Sequence, residues 1–215
     1  MSVAVLGSWV NGTTHTVEAG SNRLLLVFGY CEHNGVITST GATYGTKTMT
    51  LINTEVSGAT YRDRIAAYYL NDADIALASN STVAVTWSAT PSEGSSIESV
   101  FLSGVKQSSP IGANATATSA SGTTLATVAL ATVNGDMGFA SMIDNAASTF
   151  VFNNGFTKDY DGSHTKFDEC AGHIVCTGAD ITPSITGASG RIAIVGFVIN
   201  NGKINVVRSV ISNIA

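Results

Sequence analysis

The sequence predicts an all-β fold: an antiparallel β-sandwich of jelly-roll type, in one domain with a short C-terminal tail. Three observations carry that expectation. Roughly a dozen short apolar or alternating runs recur at fairly even spacing, separated by Gly-, Asn- and Pro-containing turns, with no convincing internal helix. Two runs, Leu24–Phe28 and Ile192–Val195, are apolar without alternation, which marks strands covered on both faces. Thr82–Ser88 alternates cleanly, with Val83, Val85 and Trp87 on one face.

In chain order, Val3–Val10 reads as a weak strand and His15–Glu18 as a short one leading into the first central strand, Asn22–Tyr30. Asn34-Gly35 ends it. Val36–Tyr44 and Lys47–Val56 read as a strand pair around Gly45-Thr46. Arg64–Leu70, Thr82–Ser88 and Glu98–Leu102 follow as strands, with Asn71–Asn80 as a polar connection. Val105–Gly122, rich in Ser, Ala and Thr, reads as an extended crossover between two halves. Thr123–Thr132, Gly138–Ile143, Thr149–Phe152, Ala171–Cys176 and Asp180–Thr186 complete the set before Gly190–Asn200. That last stretch mirrors the first central strand, with Arg191 just inside its start as Arg23 is in the other, and the two are expected to pair at the centre of the core. The domain is placed at residues 1–200 and the tail at 201–215; Ile204, Val207, Ile211 and Ile214 of the tail are candidate assembly contacts.

Composition narrows the function classes. Of the 215 residues 44% are hydrophobic, ample for a core, while the charged share of 12% is about half the usual value. A neutral, hydroxyl-rich surface suits a secreted module or a subunit within a large assembly. The net charge of −5 supplies no basic footprint for nucleic acid. No stretch approaches a membrane span, and the first residues lack the charge and apolar run of a signal peptide, so synthesis in the cytoplasm is expected.

Several clusters could carry chemistry. Cys31-Glu32-His33 and Cys170-x-x-His173-x-x-Cys176 together hold zinc-type ligands, but the spacing is no recognised knuckle and a strand would send His173 away from both cysteines. A disulfide from Cys31 to Cys170 or Cys176 is the second reading; free, buried cysteines are the simplest. Asp159–Gly162 with Asp168-Glu169 could gather a hard cation, but an EF-hand's alternating ligands are missing, and a solvated acidic loop is the default. Gly41–Thr48 misses the P-loop pattern, because Thr46 separates the glycine from the lysine. No G-x-S-x-G elbow is present and the histidines are scattered, so neither an enzyme nor a cofactor is expected. Among the aromatics Trp9, Tyr44, Tyr61, Phe156 and Tyr160, the polar stretch Asn153–Asp168 is the best candidate for sugar stacking or a subunit contact, through Phe156, Tyr160, Asp161 and His164.

Five motifs in order carry a resemblance: HTVEAGSNRLLLVFGY at 15–30, TGATYGTKTMTLI at 40–52, RIAAYYLNDADIALASNSTVAVTWS at 64–88, ESVFLSGVKQSSPIG at 98–112, and the closing RIAIVGFVI. The chain resembles a β-sandwich family of bacteriophage structural proteins that also occurs in bacterial surface proteins. The likeness covers residues 14–112 and then only the last strand; Gly45-Thr46 departs from the family's usual double glycine. The resemblance implies a non-enzymatic virion protein at the particle surface. The expected role is a capsid decoration, cement, head-fibre or spike subunit that binds the major capsid protein or neighbouring subunits. A homo-oligomer is expected, with a trimer as the working arrangement. The alternative is a carbohydrate-binding adhesion module of a phage tail or bacterial surface.

Overall fold

The computed structural model describes residues 2–146 and 149–203. The candidate contacts Ile204, Val207, Ile211 and Ile214 lie outside the described residues. In chain order the elements are β1 (Ala4–Asn11), β2 (Leu24–Asn34), β3 (Ser39–Tyr44), β4 (Lys47–Thr48), β5 (Thr50–Ser57), β6 (Tyr61–Asn71), the single-turn helix α1 (Asp72–Ile75), β7 (Val83–Trp87) and β8 (Gly94–Ser103). The second half holds β9 (Ile111–Ala126), β10 (Met137–Asp144), β11 (Val151–Phe152), β12 (Thr157–Ser163), β13 (Asp168–Val175) and β14 (Ser184–Ile199). The all-β antiparallel sandwich expected from the sequence is the fold.

One main sheet has the order β1-β8-β2-β6-β5. The other has the order β11-β14-β10-β13-β12, with β9 also paired to β14. A small third sheet, β4-β3-β7, lies outside the first. This layering explains the two unbroken apolar runs. Along β2, Leu24, Leu26, Phe28 and Tyr30 join Phe139, Val195 and Phe197 in the core between the main sheets. Its alternate residues Leu25 and Val27 pack with Ala42, Tyr44 and Val83 under the small sheet. β14 divides the same way. Ala193, Val195, Phe197 and Ile199 face inward, while Ile192, Ile194 and Val198 meet Leu130, Phe150, Phe156 and Ile181 under the outer connections. A stretch of strand buried on both faces selects apolar side chains at successive positions.

Two expectations are corrected. β2 and β14 share a core but do not pair: β2 is hydrogen-bonded to β6 and β8, and β14 to β9, β10 and β11. They face each other across the sandwich instead, with the Phe28 and Phe197 rings 5.9 Å apart. Each strand finds its partners within its own half of the chain, where loop closure is cheapest and sequential elements usually neighbour. The chain therefore crosses between the main sheets once, at residues 104–110, rather than repeatedly as jelly-roll wiring would have it. The second correction follows: the crossover read at 105–122 is short, and Ile111–Ala126 is a 16-residue strand. Its Ala113, Ala115 and Ala117 pack against the outer core at period two, while most of its length lies along β14.

At the β3–β4 hairpin only Gly45 has positive φ, at 54°. A type I′ turn needs positive φ at both central residues, so Thr46 in place of a second glycine excludes it.

Candidate functional site

The polar stretch 153–168 is a strand and its flanks rather than a loop. Thr157–Ser163 forms β12 on the edge of the second sheet, paired to β13. A register shift between Lys158 and Tyr160 breaks the alternation there. Phe156 consequently sits in the outer core, 6% exposed, whereas Tyr160 turns inward against the core between the sheets. The Tyr160 hydroxyl accepts from Asn11 Nδ2 at 2.5 Å. The two aromatics therefore build no joint platform, and Phe156 offers no face for a sugar. Asp161 is exposed and pairs with Lys158 Nζ at 2.6 Å. His164 stacks on Phe167, ring centroids 4.8 Å apart, with Nε2 3.7 Å from Glu169 Oε1. Of the remaining aromatics, Trp9 stacks on Phe28 in the core and Tyr44 is buried, its hydroxyl donating to the His15 carbonyl at 2.8 Å; Tyr61, exposed at the start of β6, lines a shallow hollow with Glu32, Glu93, Lys166 and Arg191.

The cysteines do not converge on a metal. Cys31, Cys170 and Cys176 are free and buried, and burial pushes the Cys31 thiol up to about 12, against the pull of Arg64. His173 Nδ1 lies 2.6 Å from Asp159 Oδ2, not beside a thiol. Among the described residues no group of three or more His, Cys, Asp or Glu side chains is placed to hold a metal ion.

The strongest concentration of polar chemistry was missed by the motif search. Glu98 of β8 and Glu169 of β13 face one another across the sandwich, each with no exposed surface. Inward alternation put both there: Glu98 precedes Val100 and Leu102 on the inward face of β8, and Glu169 precedes Ala171 on that of β13. The Tyr30 hydroxyl lies 3.3 Å from Glu98 Oε2 and 2.6 Å from Ser141 Oγ, which donates to the Cys170 carbonyl at 2.7 Å. Glu98 Oε1 and both Glu169 oxygens make no hydrogen bond of good geometry. Burial raises both acids. The charge of Glu169 adds to the rise at Glu98, and Glu169 reaches about 7 although the Ser96 hydroxyl pulls it down. At neutral pH the pair therefore holds a proton, and the hydrogen bond that joins the sheets beside it is Tyr30 to Ser141. Close carboxyls with displaced pKa values also serve acid–base catalysis. Here a hollow of about 190 Å³ is lined by Asn11–Thr13, Ser95–Ile97 and His164, and by neither carboxyl.

A second polar tie joins the sheets at one end. Arg191 of β14 donates from Nε to Asp63 Oδ2 at 3.0 Å and from Nη2 to Glu32 Oε1 at 2.7 Å, reaching β6 and β2. Burial holds the Asp63 carboxyl up at about 7 even with the guanidinium beside it. The counterpart Arg23 pairs locally, with Asp72 at 2.7 Å.

The remaining feature is the outer strand β9. None of its 16 residues is fully buried, and it contains no charged residue and no proline. Among the described residues β14 is its only hydrogen-bonded partner strand; register shifts in that pairing mark bulges in β9 between 111 and 114 and between 119 and 122, and Asn53 Nδ2 of β5 donates to Asn114 Oδ1 at 2.8 Å. No protein-family model, no curated protein and no solved structure matches the chain.

Proposed function

We propose that the chain is a non-enzymatic structural subunit of a bacteriophage virion, decorating or cementing the capsid or building a head fibre or spike. It would act by binding neighbouring subunits. The observation that carries this reading is β9: a long, uncharged strand with an unpaired edge. Proteins that stay single blunt such edges with lysine and proline as well as bulges, because an open row of N–H and C=O groups recruits further strands; β9 has bulges between 111 and 114 and between 119 and 122 but no charge and no proline. The charged share of 12% and the ordered motifs at residues 15–112 support the same reading. The polar contacts that are enclosed, Tyr30–Ser141 beside Glu98 and Arg191–Asp63–Glu32, tie sheet to sheet and support a load-carrying module. The carbohydrate-binding alternative loses its main aromatic, because Phe156 is buried.

The test is reconstitution. Purified protein is added to particles made without it and sedimented. The proposal expects binding that saturates at a fixed number of copies per particle, with glycan arrays blank. Protein that stays in the supernatant while binding a defined glycan class overturns it.

A further inference from the structure

We infer that Asn154 is a site of spontaneous covalent modification: its side-chain amide is lost through a cyclic imide formed with the backbone nitrogen of Gly155. This goes beyond the structural reading of the chain and does not depend on it.

The sequence carries five Asn-Gly pairs, at 11–12, 34–35, 134–135, 154–155 and 201–202. Each holds the same reactants, the asparagine Cγ and the next backbone nitrogen, and a following glycine has no Cβ to obstruct their approach. The fold treats the five differently. The Gly12 amide donates to the Ile97 carbonyl at 2.8 Å, Gly35 to Thr60 at 2.8 Å, Gly135 to Cys176 at 3.0 Å and Gly202 to Gly104 at 2.8 Å. Each of those four nitrogens is held by a segment distant in sequence and reacts only after local opening breaks the bond. Among the described residues the Gly155 amide donates to no carbonyl or side chain.

The turn explains why. Asn153–Phe156 connects β11 to β12, and the Phe156 amide donates to the Asn153 carbonyl at 3.2 Å. The central residues both have positive φ, 56° at Asn154 and 83° at Gly155. That is the signature of a type I′ turn, for which Asn-Gly is favoured because both residues accept the left-handed region. Such a turn pairs the amide of its fourth residue and not that of its third, here Gly155. Asn154 and Gly155 are both exposed, so water and hydroxide reach them. The asparagine side chain is held by one contact: Nδ2 donates to the Thr182 carbonyl at 2.9 Å.

The step needs no co-reactant other than water. The Gly155 nitrogen gives up its proton and bonds to Asn154 Cγ; the Cγ–Nδ2 bond breaks, and Nδ2 leaves as ammonia. Water then opens the imide at one of its two carbonyls, which yields aspartate or an isoaspartyl linkage that routes the main chain through the side chain. Either product removes the donor to Thr182 and adds a negative charge beside a hollow of about 400 Å³ that Asp180 also lines.

Peptide mapping of the full chain tests this. Folded protein is held for several days at pH 8 in heavy-oxygen water, so that imide opening during the incubation labels the new carboxyl. It is then digested in ordinary water, and mass spectrometry counts labelled product at each of the five pairs. The inference expects aspartate and isoaspartate to accumulate at 154 about tenfold faster than at the other four, whose paired amides must first be freed. In urea, with the chain unfolded, the five rates should converge. Equal labelling of the five in the folded chain, faster labelling at another pair, or an intact Asn154 while the unfolded chain reacts overturns it. A lead for Asn154 that persists unchanged in urea also overturns it, because the difference then lies in local sequence and not in the fold.

Discussion

Glu169 titrates in the opposite sense to a surface carboxyl. Its ordinary value of 4.5 is raised to about 7 in the fold, and Asp63 rises from 3.8 to about 7. Between those values the folded chain binds protons that the unfolded chain has released. The stabilisation is complete below about pH 4 and is lost as pH rises through about 7. His15 acts on the acid flank: burial lowers its pKa from 6.5, so acid below that value works against the fold. Thermal unfolding should therefore show a midpoint that falls from about pH 6 to pH 8. Glu169→Gln, which stays neutral, should flatten the fall and gain on the order of 1–3 kcal/mol over the parent at pH 8. A parent that grows more stable across that range would sink the claim that the buried pair holds a proton. Arg191→Met should cost about 3 kcal/mol in urea at pH 7.5, because Asp63 and Glu32 lose their partner, and less at pH 5, where Asp63 binds a proton. Equal losses at both pH values would contradict the ionic tie. Phe156→Ala should destabilise by about 3–5 kcal/mol, read as a lower urea midpoint; unchanged stability with lost glycan binding would restore the sugar site.

At the scale of elements, the small third sheet presses directly on β2. A Cβ at Gly29 would stand 2.7 Å from Val85 Cγ1, so the glycine is a close-approach residue between two sheets. Gly29→Val should cost about 1–3 kcal/mol by overpacking. A urea midpoint equal to the parent's would mean that β7 can move away freely. β2, β6, β8 and β14 were legible because long apolar or alternating runs have few other uses. β9 was not: Ser, Ala, Thr and Gly have weak or contrary strand preference, and its place comes from β14, 60–90 residues away in sequence. β12 hid for a related reason. Asp161-Gly162 reads as a turn, yet Gly162 lies within the strand, where a Cβ would meet Glu169 Oε1 at 2.6 Å. The polar ties were half visible, as Glu32, Asp63, Glu98 and Glu169 inside or beside apolar runs. Their partners, such as Arg191 for Glu32 at a separation of 159 residues, exist only in the fold.

For the whole molecule, the chain's two halves each build a sheet, and the interface between them holds the aromatic core and both polar ties. The enclosed groups bind the halves together, and β9, along one side of the second sheet, carries no charge. On the proposed reading the interior supplies stability and the outer surface supplies contact. The most direct measurement is quantitative mass spectrometry of purified particles, counting this chain against the major capsid protein. The account predicts a reproducible ratio that survives stringent purification; absence of the chain from the particles would contradict it.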